Sequence, residues 1–111
     1  MRPVVVQSPA GIGYSAPVPV DRNLNQNIGV AVTFNGAVAT CNVQWSLDDP
    51  YASYPTSYNV NGNWLTDPTL QNMTANEASK IDMPVRAVRL QNTAWTSGQP
   101  TMTVVQAGGI A

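Results

Sequence analysis

With 111 residues and 43% hydrophobic content, the chain can build one hydrophobic core but not two, and it is too apolar to be globally disordered. Only 10% of its residues are charged, against about 25% in an average soluble domain. The net charge is −1, and the five basic residues, Arg2, Arg22, Lys80, Arg86 and Arg89, are scattered, so no basic stripe exists to follow a phosphate backbone and a nucleic-acid partner is disfavoured.

A surface poor in charge but rich in Asn, Gln, Thr and Ser suits a protein held against other copies or another surface, because each charge buried in a contact costs desolvation. No apolar run reaches the roughly 20 residues needed to span a bilayer. The opening Met1-Arg2-Pro3-Val4-Val5-Val6-Gln7 is too short in its apolar part for a signal peptide. The expectation is a chain without a membrane partner, made and used without secretion.

In chain order, residues 1–20 combine Val4, Val5, Val6, Ile12, Val18 and Val20 with four prolines and two glycines. Proline lacks an N–H and is tolerated at a sheet edge, so this segment reads as an extended arm lying along a sheet, its own or a neighbour's. Ile28, Val30, Val32 and Phe34 then alternate with smaller residues, and Asn35-Gly36 follows. Asn-Gly is the strongest short-range hairpin signal. Thr40 to Leu47 continues with Cys41, Val43, Trp45 and Leu47 on one side and Thr40, Asn42, Gln44 and Ser46 on the other. Residues 28–47 therefore read as a β-hairpin, ended by Asp48-Asp49-Pro50.

From Asp48 to Asn76 the periodicity dissolves into a long segment carrying Tyr51, Tyr54, Tyr58 and Trp64. A loop of this length binds something or packs by its own side chains, and amphipathic rings suit both roles. A short strand or helical turn is expected near residues 58–65 or 68–73. Lys80 to Asp82 reads as a short strand. Val85 to Asn92 reads as another, with Val88 and Leu90 on one face and Ala87, Arg89 and Gln91 on the other. Residues 93–100, with Trp95 and Ser97-Gly98, read as a loop, and Thr101 to Gln106 as the closing strand. No stretch keeps a helical period. The predicted fold is an all-β, single-domain antiparallel β-sandwich, jelly-roll-like, with an arm over 1–20, the sandwich over 21–106 and a flexible tail over 107–111.

The sequence offers little to catalysis. It has no histidine, the commonest general base and metal ligand. Asp48 and Asp49 could pair with Asp67, but neighbours on a strand end point apart and no Asp-x-Asp-x-Asp loop accompanies them, so turn formation is the default for all three. Gly11-Ile12-Gly13 lies in the proline-rich arm rather than between strand and helix. Cys41, the single cysteine, excludes an intramolecular disulfide and falls among inward residues as a small apolar group. No catalytic, cofactor or metal residue is assigned. Trp45, Trp64 and Trp95 with the tyrosines raise a rival function, a carbohydrate-binding β-sandwich. Trp45 shares its side with Val43 and Leu47 and belongs to the core, which leaves Trp95 as the exposed aromatic candidate. The residues expected at an interface are Val4, Val5, Val6, Ile12, Tyr14, Tyr51, Tyr54, Tyr58 and Trp95.

Three stretches carry a resemblance: residues 43–50 (Val-Gln-Trp-Ser-Leu-Asp-Asp-Pro), residues 84–90 (Pro-Val-Arg-Ala-Val-Arg-Leu), and residues 93–106 with their Trp95-Thr96-Ser97-Gly98 segment. In these, covering about half of the chain, the sequence resembles small tailed-bacteriophage virion proteins encoded near the major capsid protein. The resemblance implies a capsid cement or decoration protein with a jelly-roll-like fold, made in the host cytoplasm and clamped to the capsid exterior. Its implied partners are the major capsid protein and further copies of itself, a homodimer before a trimer. A tail, neck or fibre-base component is the alternative within the same class. The family supplies no catalytic residues to carry over.

Overall fold

In the computed structural model, residues 3–20, 28–47, 63–81 and 85–106 are described. They form nine strands in two sheets and no helix. The first sheet holds β1 (Val4–Gln7), β9 (Thr101–Gln106), β4 (Ile28–Thr33) and β7 (Glu77–Ile81), side by side in that order. The second holds β8 (Ala87–Ser97), β5 (Val38–Ser46) and β6 (Trp64–Thr66), with β2 (Gly13–Tyr14) and β3 (Val18–Pro19) both paired to the outer side of β8. Taking β2 and β3 as one interrupted strand, the pairs are nested. β1 pairs with β9, β2 and β3 with β8, β4 with β7, and β5 with β6, every pair antiparallel. The result is an all-β sandwich.

Period-two alternation sets the inner faces. Ile28, Val30 and Val32 of β4 and Met102 and Val104 of β9 point in from the first sheet, and Ala39, Cys41, Val43 and Trp45 of β5 with Val88 and Leu90 of β8 point in from the second. Val18, Val20, Phe34, Leu70, Met73, Ile81 and Val85 complete the core. Each fully buried Val, Leu or Ile contributes roughly 1.5–3 kcal/mol of transfer free energy. Trp45, placed in the core by its alternation, is buried there.

The expected hairpin over 28–47 does not form, although its turn does. Asn35 (φ 48°) and Gly36 (φ 85°) both occupy the left-handed region, and Ala37 N–H donates to Phe34 O at 2.8 Å, as a type I′ turn requires. The strands it joins belong to different sheets, because β4 bonds β7 and β9 while β5 bonds β6 and β8. Paired in one sheet, β4 and β5 would place their apolar residues side by side on one face and leave that face to be covered from elsewhere. Set in opposite sheets, the two faces cover each other. A second sheet-crossing turn, between β8 and β9, closes against the first. Gly98 has φ +79°, and a Cβ there would stand 2.7 Å from Ala37 Cα and Cβ, so only glycine fits.

Other boundaries shift for identifiable reasons. Leu47 is exposed and Ser46 fully buried, the reverse of the alternation, because β5 ends at Ser46 and the chain leaves the ladder there. Residues 93–97, expected as a loop, continue β8 because Val38, Ala39 and Thr40 give them a partner across two register shifts. Trp95 is therefore a strand residue. The strand expected at 80–82 is β7, starting earlier at Glu77, and Asp82 lies outside the described residues. Among the described residues 63–73, β6 forms and Met73 bridges to Cys41, while residues 58–62 lie outside the described residues.

The arm lies along its own sheets. β1 edges the first sheet, the chain crosses at residues 8–12, and β2 and β3 edge the second. Asn92, fully buried on β8, holds this crossing. Its Nδ2 donates to Pro9 O (3.1 Å) and Gly11 O (3.0 Å), while its Oδ1 accepts from Cys41 Sγ (3.0 Å). Ser15 adds a second clasp, exchanging backbone N–H for Leu90 O (2.8 Å) and accepting Leu90 N–H on its Oγ (2.9 Å).

Truncating Trp45 to alanine is expected to lower unfolding free energy by about 3–5 kcal/mol in urea titration, as for a large buried aromatic. Asn92→Ala removes the fully buried amide that bonds the half-buried Pro9 and Gly11 carbonyls and the Cys41 thiol, and a loss of about 1–3 kcal/mol is expected in the same titration.

Candidate functional site

The described residues contain no cluster of three or more Cys, Asp or Glu that could hold a metal ion. Asp67 is buried and committed to a turn, its Oδ2 accepting Thr69 N–H (3.1 Å) and Leu70 N–H (3.0 Å). Its expected partners Asp48 and Asp49 lie outside the described residues. Cys41 is wholly buried, and that burial pushes its thiol from the ordinary 9.0 up to about 11. A thiol so protonated and enclosed is a packing group rather than a nucleophile.

Binding surfaces are better developed. On the outer face of the first sheet, the register aligns Val5, Thr103, Ala31 and Ala78 across all four strands, with Val105 and Gly29 in the adjoining row. Small side chains on β4 and β7 leave a shallow trough there, lined by Gly29, Ala31, Ala78, Ser79, Thr103 and Val105. Val5 stands beside it, 59% exposed. Lys80, opposite Gly29, is the single charge on this outer face among the described residues.

The outer face of the second sheet disposes of its charge differently. Arg89 is only 4% exposed, its guanidinium lying 3.7 Å from the Tyr14 ring centroid and 4.3 Å from that of Trp64. Its Nε donates to Gln44 Oε1 at 2.8 Å, and Gln44 Nε2 donates in turn to Thr66 Oγ1 at 3.3 Å. Arginine suits this position because its weakly hydrated planar cation stacks on aromatic faces. The assembly ties β2, β8, β5 and β6 together and hides a charge that a bare strand would present. Spacing placed Arg89 on the outward side, but the rings that cover it come from residues 75 and 25 positions away in sequence and left no local signal.

The expected interface residues separate into groups. Val4, Val5 and Ile12 are exposed, Ile12 at 74%. Val6 is half-buried against the core. Tyr14 is partly exposed but spends one ring face on Arg89. Trp95 is 37% exposed at the far end of the second sheet, apart from the arm's contacts with β9. Tyr51, Tyr54 and Tyr58 lie outside the described residues. The fold thus brings Val5 of β1 to the edge of the small-residue face, turns Val4 and Val6 to the side of Val104 and Met102, and places Trp95 on the other sheet. Comparison with known proteins finds no family model, no curated protein and no solved structure that matches the chain.

Because the folded state keeps the Cys41 proton where the unfolded chain has lost it, the stability this burial contributes is complete below pH 9 and declines as the pH rises toward 11. The decline amounts to at most ~3 kcal/mol. Urea midpoints measured across that range should fall more steeply for the wild type than for Cys41→Ala.

Proposed function

We infer that the chain is a non-enzymatic structural protein that works by lying against other protein surfaces, and that it serves as a capsid cement or decoration protein on the exterior of a virion. The observation that carries this reading is the near-absence of charge on both sheet faces, combined with apolar side chains left in solvent along the arm. Val5 is exposed on a small-residue face whose single charge among the described residues is Lys80, Val4 and Ile12 are exposed elsewhere along the arm, and Arg89 is covered by two rings. Such surfaces can be buried without the desolvation cost of stranded charges, and contiguous exposed apolar surface marks interaction sites.

The nested strand order supports the jelly-roll reading of the sandwich, an architecture used by viral capsid domains and lectins alike. That support is fold-level analogy and adds to the surface chemistry rather than replacing it. The partner in this reading is the major capsid protein. A protein that binds the assembled shell and not its separated subunits stabilises the shell by mass action, and many copies held in fixed geometry add avidity to weak contacts. The flat face of the first sheet suits isologous pairing of two copies. A tail, neck or fibre-base component would use the same surfaces.

A density map of the intact particle tests this reading directly, with copies of the sandwich expected on the outer shell in contact with the major capsid protein. Density confined to the tail or neck would transfer the role to the alternative structural position. On stripped shells, Val5→Asp and Ile12→Asp are expected to rebind at markedly lower occupancy while changing stability by no more than ~0.5 kcal/mol, as surface substitutions do. Undiminished occupancy would remove the arm from the contact.

A further inference from the structure

Trp95 stands apart from the surfaces assigned above, and its surroundings have a chemistry of their own. A groove of about 230 Å³ runs along the end of the second sheet, lined by Val38 and Thr40 of β5, by Ala94, Trp95 and Thr96 of β8, and by Thr74. The indole forms part of its wall. Trp95 Nε1 donates to Gly98 O at 2.7 Å, which fixes the ring and uses its only polar group. What remains for a ligand is the apolar surface of a ring 37% exposed.

The described residues of the lining include no charged side chain, so they offer nothing to an ionic ligand. It contains three threonines, whose hydroxyls make no hydrogen bond within the described residues and can each donate and accept. An aromatic ring carries a negative face, which attracts weakly positive C–H groups. A pyranose presents such C–H groups on one face and hydroxyls at its rim. The volume lies below the roughly 300–1,000 Å³ of drug-sized sites and admits one ring rather than an extended chain. A proline-rich peptide fits less well, since that mode of recognition uses a groove lined by several aromatics, whereas Trp95 is the single aromatic among the described residues lining this one.

We propose that the Trp95 groove binds a single neutral sugar ring, such as the terminal residue of a surface glycan. This function is additional to the shell contacts and independent of them. With one ring and a few hydroxyl contacts, affinity falls in the millimolar range, and many copies on one particle would convert it to useful avidity. The bound ring stacks on Trp95 while its hydroxyls exchange hydrogen bonds with Thr74 and Thr96.

The test uses the full chain, labelled with 15N and titrated with methyl glycosides of glucose, galactose, mannose and N-acetylglucosamine. At least one glycoside is expected to shift the amide resonances of Val38, Ala94, Trp95 and Thr96 together with the Trp95 indole N–H. Trp95→Ala should weaken that binding by at least about tenfold, and the Thr74→Val, Thr96→Val double variant should weaken it while leaving the ring in place. Should Trp95→Ala fail to fold, the wild-type shift map and the threonine variant decide the matter. Shifts confined to other surfaces, affinity unchanged in the threonine variant, no response to any of the four glycosides, or preference for a polyproline peptide would each overturn the proposal.

Discussion

The open edge of the sandwich depends on one amide. Asn92 sits at zero exposure on β8, where its Oδ1 accepts the Cys41 thiol proton and its two Nδ2 protons go to Pro9 O and Gly11 O. A buried amide is costly unless it is satisfied, and this one has a partner for each proton and for its oxygen. The satisfaction is also what fixes the arm. Only with Pro9 and Gly11 in this position does the chain leave β9 in the first sheet and enter register with β8 in the second. Cys41 shares this buried site, where exclusion of water keeps its thiol protonated.

A second theme is the handling of charge. Arg89 belongs to the outward set of β8, where an unpartnered strand would present it to solvent, yet Tyr14 and Trp64 enclose its guanidinium and Gln44 takes its Nε proton. Stacking lets the protein use a cation as a rivet between four strands while keeping charge off the sheet surface. The opposite face reaches a similar neutrality through Gly29, Ala31, Ala78 and Thr103, residues too small to project. Both faces therefore present little charge to a covering molecule, Lys80 on the first being the exception among the described residues. They differ in character, one carrying a shallow trough between small residues, the other already filled by its own side chains.

Much of the local structure is legible in single residues. The alternation of Ile28, Val30 and Val32, and of Cys41, Val43 and Trp45, identifies strands and their buried sides, and Asn35-Gly36 specifies the turn between them. The inference from turn to hairpin fails because a type I′ turn specifies two backbone dihedral pairs and not the layer in which the next strand pairs. Residues 93–97 show the converse. Their polar and turn-forming composition suggests a loop, and a strand forms because β5 supplies ladder partners through its irregular stretch at Val38–Cys41. The Trp95 groove follows from that extension, since it exists only where β5 and β8 run past the core and Thr74 closes one side.

By itself, the sequence determined an all-β chain of low charge, the inward sides of its central strands, the sharp turn at Asn35-Gly36 and the core positions of Cys41 and Trp45. Side-chain alternation along a strand is a local property, so these features need no knowledge of neighbours. Tertiary structure alone decided which strands share a sheet, how the arm crosses from one layer to the other, and that Arg89 is enclosed and Trp95 left open. Backbone ladders carry almost no residue preference, so partner choice is settled by the requirement that two apolar faces cover each other. The surroundings of an outward side chain are then set by whichever distant segments that choice brings alongside.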